Sequence, residues 1–362
     1  MKNKLTTSLD KELLVSLNPA TKKYSKFRMF ARNPFGQFFI LGICLILVIL
    51  LSEIRILPVT VSDGVTTTVI YAIIAIGFCL LLGYSGLASL GTAGFAGIGV
   101  FAAYYAFTAL GMSFFTALIL SIVVAAIIGI IVGFISLRIE GMYLAILTLG
   151  LAEILFQVFK NITNMVNIPS KLITFLFMKV GDIGLGLIVV GMLVVLLMLT
   201  HNLINSPTGR AMLAMKNSTS AAQAMGISLM KYRLFAFVIS TIYASIGGLL
   251  YIMYSGSMVT AGSTFFALSL SLNILGAVIV GGSKSLLGTS FGALVIFGLQ
   301  TIFFVNIPFF QENPEFVGFT TGLLIILVVM FYPGGASQLF TELKGKLRKL
   351  IKKLRDKKYG AY

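Results

Sequence analysis

The sequence predicts an all-α, polytopic membrane protein of about ten transmembrane spans. Three observations carry this. Of its 362 residues, 58% are hydrophobic and only 10% are charged, against roughly 25% charged in a soluble domain. Mean hydropathy is +1.02. The apolar residues fall in long unbroken runs, not in the short alternating segments of a membrane barrel. A soluble enzyme, a disulfide scaffold and a disordered chain are thereby excluded.

Residues 1–35 form a basic tail that is too long and polar for the head of a cleaved leader, so the first apolar run reads as a retained span. The expected spans are 36–52, 65–83, 87–108, 113–136, 141–159, 183–203, 234–254, 262–281, 285–305 and 316–332, each near the ~20 residues that cross a bilayer. The third and eighth are rich in Gly, Ser and Thr, and are expected to be broken or re-entrant. Residues 36–335 make one transmembrane domain, and 336–362 a second basic tail. Within that tail, Glu342 to Lys358 reads as an amphipathic helix on anionic lipid.

Charge placement sets the orientation. Residues 1–35 hold eight Lys/Arg against two acids and residues 341–362 nine against two, so the ends carry +13 of the +16 net charge. Neither tail is long enough for a nucleic-acid-reading module. The bias of basic residues toward the cytoplasm puts both termini inside. Arg138, Arg210, Lys216, Lys231, Arg233 and Lys284 then fall inside too, while the loop with Glu312 and Glu315 falls outside. Loop 160–182, with Lys160, Lys171 and Lys179, disagrees.

Residues 205–233, NSPTGRAMLAMKNSTSAAQAMGISLMKYR, form a long polar connection between spans. Pro207 suits a first helical position. The Ala- and Met-rich run 209–225 predicts one short helix stopped by Gly226. Such a helix on a membrane protein's surface is either a docking element for another protein or a plain surface linker, and composition alone favours the linker.

Two motifs mislead. Gly97-Ile98-Gly99-Val100-Phe101-Ala102 fits a dinucleotide pattern, but it lies in a span rather than after a soluble strand. Gly281-Gly282-Ser283-Lys284-Ser285 lacks the Gly immediately before Lys that a P-loop needs, so any ATPase belongs to another subunit. Cys44, Cys79 and His201 are scattered in or at the end of apolar runs. They suggest no disulfide framework, metal site or cofactor, and no nucleophile–base set supports an enzyme.

At membrane depth, Gly83, Gly86, Gly91, Gly94, Gly97 and Gly99 crowd one stretch. Small residues allow close helix packing and expose backbone where a helix breaks, which suits a polar path. Glu153 is an acid well inside an apolar run. It is either neutralised or paired within the bundle, or it lines the path.

Four ordered blocks resemble the permeases of branched-chain amino acid ABC importers, of the LivM type. They are GLASLGTAGFAGIGVFAAY at 86–104, LRIEGMYLAILTLGLAEI at 137–154, TGRAMLAMKNSTSAAQAMGISLMKYRLFAFVISTIYASIGGLLY at 208–251, and ILGAVIVGGSKSLLGTSFGA at 274–293. The resemblance covers roughly residues 65–335. Ser220-Ala221-Ala222-Gln223-Ala224-Met225-Gly226 is similar to the family's E-A-A-x-x-x-G coupling signature, with Ser220 in place of Glu. Small Ala residues let such a helix seat deeply, and Gly permits a tight exit. Asn161 to Asn167 departs from a Thr-Gly-Gly-like stretch, and Tyr332-Pro333-Gly334 lacks the family's Arg.

The resemblance implies a second related permease, two cytoplasmic ATP-binding subunits and an extracytoplasmic binding protein as partners, in the cytoplasmic membrane. It implies ATPase coupling through Arg210, Ser220, Ala221, Ala222 and Gly226. It implies a substrate path at Gly86, Ser89, Gly91, Gly94, Tyr143, Thr148 and Glu153. Branched-chain amino acids are the implied cargo, with nucleosides, urea or amides as alternatives on the same architecture. An ion-driven secondary transporter is the competing class.

Overall fold

A computed structural model describes residues 34–53, 58–108, 110–111, 113–136, 142–162, 165–166, 174–175, 178–179, 182–255, 259–260, 267–304, 307–313, 315–332, 334–336 and 338. Residues 1–33, residues 339–362, Arg138 and most of loop 160–182 lie outside them, and so does the expected amphipathic helix from Glu342. The helices are α1 Pro34–Glu53, α2 Val59–Cys79, α3 Thr92–Thr108, α4 Phe114–Ser136, α5 Met142–Ile162, α6 Asp182–Asn205 and α7 Pro207–Asn217. They continue with α8 Thr219–Ala224, α9 Leu229–Ser255, α10 Leu268–Gly281, α11 Leu286–Gly298, α12 Pro308–Glu312 and α13 Glu315–Phe331. Two-residue strands pair antiparallel in the loops: β1 Met165–Val166 with β4 Val259–Thr260, and β2 Thr174–Phe175 with β3 Met178–Lys179.

Among the described residues, seven helices are long and apolar enough to cross a membrane, and three shorter apolar helices accompany them. Together they answer the ten expected spans in order. The two spans expected to be irregular are short helices, α3 with 17 residues and α10 with 14. The cause is visible for α3. Residues 86–91 enter the bundle without helical structure, and the Leu90 N–H donates to Thr148 Oγ1 at 2.9 Å. Thr148 lies six residues along α5, about 9 Å below its start, so α3 begins beneath the face rather than at it.

α2 and α9 form the centre, and most of the residues of each are buried. Small residues make this possible. Buried Ala117, Ser121, Ala125, Gly129 and Gly133 recur every four residues on α4, which aligns them on one face. That face meets α9, where Ser245 Oγ donates to the Ser121 carbonyl at 3.2 Å. The α3–α9 crossing is closer still. A Cβ on Gly99 would strike the Ser245 carbonyl, and one on Gly248 the Ala96 carbonyl. α1 and α6 lie on the flank of α2, where Gly42 meets Val194.

The described ends share one face with the α6–α9 connection. Pro34 lines a pocket with Asn205 and Lys284, and Gly335 lies against Gly282.

Candidate functional site

The polar connection is built from two helices where one was expected. Ser206 caps α7, accepting from Gly209 N–H at 3.3 Å, with Pro207 in the first turn. Ser218 then breaks the run in extended conformation and caps α8, accepting from Ala221 N–H at 3.3 Å. A hydroxyl that satisfies a first-turn N–H starts a new helix, and this signal was readable at Ser218. Gly226 ends α8 at φ 78°. Ile227 N–H bonds the Ala222 carbonyl and Gly226 N–H the Gln223 carbonyl, the paired closure that favours Gly at this left-handed position.

On α8, Ser220 and Ala221 are exposed and Ala222 is buried; Arg210 on α7 and Gly226 are also exposed. Met225 is 83% exposed, a long apolar side chain bared at the tip of an element outside the spans. Sequence reasoning passed over Met225, although a Met ending an Ala-rich helix was the available signal.

Lys216 was also missed as more than a loop charge. α2 does not end at Cys79 but runs on through a π-helical turn, Leu80–Ser85. Wider turns of this kind free carbonyls from the regular ladder. Lys216 Nζ reaches from α7 and donates to the Leu82 carbonyl at 3.1 Å and the Gly83 carbonyl at 2.7 Å. Its aliphatic stem lies beside Gly86. Burial, then the neighbouring Lys284 charge, lowers the Lys216 pKa, and Cys79 opposes this. A cavity of about 400 Å³ opens here, lined by Gly86, Lys216, Lys284 and Gly334.

The seven path candidates separate into two sets. Gly86, Ser89, Gly91, Gly94 and Thr148 come together. Ser89 Oγ accepts from Gly91 N–H at 3.3 Å, Gly91 abuts Thr148, and Gly94 abuts Ala152 and Leu155. Ser271 of α10 accepts from Ala93 N–H at 3.0 Å. Gly94 and Gly99 are thus explained by close packing, whereas the 86–91 segment is a true break in the helix.

Tyr143 and Glu153 lie on the opposite side of α5. Leu144, Thr148, Ala152 and Phe159 are buried, while Tyr143, Ile146, Glu153 and Gln157 are exposed, a division that follows the helical period. Glu153 Oε1 accepts from Gln157 Nε2 at 2.9 Å. Among the described residues no cation pairs with it. Nor do three or more His, Cys, Asp or Glu side chains gather into a metal-binding group among the described residues.

Comparison with known proteins agrees with this architecture. Residues 60–329 match the family model described as "Branched-chain amino acid transport system / permease component". The chain is 28% identical over 320 residues to the high-affinity branched-chain amino acid transport system permease protein LivM of Escherichia coli (strain K12), covering 77% of this chain and 71% of that protein. It shows the same identity and coverage with LivM of Salmonella typhimurium. It is 32% identical over 124 residues to the probable ABC transporter permease protein y4mJ of Sinorhizobium fredii, covering 34% of this chain and 36% of that one. No solved structure gives a significant match. Ten apolar helices among the described residues, an exposed two-helix element on one face and a family match over most of the chain lead to one conclusion: the chain belongs to the permease components of branched-chain amino acid transport systems.

Proposed function

We propose that this chain is one membrane-spanning half of an ABC importer for branched-chain amino acids, driven by ATP hydrolysed on separate subunits. The observation that carries the reading is the exposed α7–α8 element, tied by Lys216 to the break that follows α2. In this reading α8 seats in an ATP-binding subunit, with Met225 as its apolar anchor and Ala221 and Ser220 beside it. Movement of α7 passes through Lys216 to the π-helical turn and the 86–91 segment. Leu90 and Gly91 carry it to Thr148 on α5.

The outward face of α5 lines the path against a second, related permease. Physical cost supports this assignment. Glu153 lies eleven residues along α5, about 16 Å deep, near the middle of a ~30 Å hydrocarbon core. A charged side chain facing lipid there costs ~2.5–3.5 kcal/mol on the insertion scale. A partner or an aqueous path covering this face removes that cost. The α7–α8 face is cytoplasmic, both termini are cytoplasmic, and a binding protein delivers cargo to the opposite face.

Uptake of labelled leucine and a labelled nucleoside, with and without this chain, tests the reading under ATP depletion and under a protonophore. ATP-dependent leucine uptake lost on deletion is the expected result. ATP-dependent nucleoside uptake keeps the architecture and discards the cargo. Uptake that survives ATP depletion and collapses with the protonophore identifies a secondary transporter instead. The docking claim has its own test. Met225→Asp leaves membrane insertion intact and weakens co-purification with the ATP-binding subunit about thirtyfold, the loss of one anchor of ~2 kcal/mol. Undiminished co-purification removes α8 from the contact.

A further inference from the structure

A second feature lies on the flank formed by α1, α2 and α11. A cleft of about 410 Å³ runs between them, lined by Ile40, Cys44, Val69, Ala72, Leu294 and Ile302 among others. It is long and narrow: Leu287 and Ile302 both line it, fifteen residues and about 22 Å apart along α11 and its π-helical continuation. Its rim is apolar, with Ile40 39% exposed on α1 and Leu294 40% exposed on α11. Water filling such a cleft within the bilayer would meet almost no hydrogen-bonding partner.

The cleft adjoins a second pocket at Leu287. Leu287 also lines a smaller pocket of about 270 Å³ at the α7–α8 face, with Lys284, His201, Tyr84, Asn205 and Ser285. Among the described residues, none that lines that pocket is acidic. The first turn of α11 opens into it at Leu286 and Leu287, adding the positive end of a helix. An apolar slot of more than half the bilayer thickness, ending in a cationic pocket at the membrane surface, matches one chemical object in both parts.

We propose that this flank binds an anionic phospholipid, with one acyl chain in the α1–α2–α11 cleft and its phosphate at Lys284, His201 and the start of α11. The site stands apart from the outward face of α5 and from α8. It depends on the membrane setting and not on which solute the permease carries. Anionic lipid held here would brace α1 against α11 beside the end of α2.

Native mass spectrometry of the delipidated full-length chain tests this with phosphatidylglycerol and phosphatidylcholine of identical acyl chains. One phosphatidylglycerol binds about tenfold tighter than phosphatidylcholine, and Lys284→Gln removes that preference, the loss of one charge-assisted hydrogen bond. Equal binding of the two lipids, or a preference unchanged in Lys284→Gln, overturns the proposal. Displacement of the lipid by glycerol phosphate at equal concentration also overturns it, because the headgroup alone would then account for binding. Cys44 is exposed and Cys79 buried, so a photo-crosslinker placed on Cys44 reports what fills the cleft without any folding-sensitive substitution. A lipid adduct is expected, and an adduct to residues 1–33 of the same chain assigns the cleft to the protein's own segment and sinks the lipid site.

Discussion

Lys216 holds two carbonyls that no local partner supplies, and both contacts span more than 130 positions of sequence. Lys216→Met leaves the Leu82 and Gly83 carbonyls to water or to nothing. The expected loss is about 1.5–3 kcal/mol of stability, the range for hydrogen bonds to a charged group, read as a lower melting temperature in detergent. Lys216→Arg retains most of it. If Lys216 carries motion from α7, Met also uncouples ATP hydrolysis from uptake in the assembled transporter, which a purely structural role would not do. Glu153 makes a different demand. Glu153→Gln keeps a polar partner for Gln157 but removes the charge, and we expect normal membrane insertion with uptake lowered about tenfold, equivalent to ~1.4 kcal/mol. Normal uptake at normal expression would take Glu153 out of the path. Lys216 was legible only as a basic loop residue, because its role depends on α2 ending where α7 passes. Glu153 was legible as anomalous, because an acid in an apolar run is costly wherever the helix turns.

Single elements were read unevenly. The ten spans follow from hydropathy, since each backbone segment in lipid must satisfy its own hydrogen bonds as helix. Glycine content marked α3 and α10 as irregular. Periodicity could not show which glycines break a helix and which let two helices touch. Gly248 belongs to the second kind, because its missing Cβ leaves room for the Ala96 carbonyl. Gly248→Val should therefore cost at least the ~1–3 kcal/mol of an overpacked core, visible as a lower thermal midpoint and reduced folded yield. Gly191 on α6, with no neighbour within 4 Å of an added Cβ, is the control, and Gly191→Ala should be near neutral. The α7–α8 element shows the opposite error. One helix was expected over 209–225, and Ser218 divides it because its hydroxyl is worth more as a cap than its residue is as helix interior.

At the scale of the whole molecule, an even number of spans returns the chain to its starting face. Pro34 and Gly334 each share a cavity with residues of the α6–α9 connection or its start, Pro34 with Asn205 and Gly334 with Lys216. Reporter fusions at the two termini should therefore report the same compartment, cytoplasmic in the orientation proposed, and a reporter inserted between 167 and 173 the opposite one. Termini reporting opposite sides would require an odd number of crossings and would break the assignment of ten. Composition and hydropathy alone determined the membrane class, the ten apolar segments and the polar connection between the sixth and seventh, because the cost of burying backbone and charge in lipid acts on each segment separately. Only the tertiary structure decided that the path candidates occupy two faces of α5, that Lys216 bridges α7 to α2, and that α1 and α11 enclose a cleft. Those facts depend on how helices rotate and pack against one another, and that is set by complementary surfaces far apart in the chain.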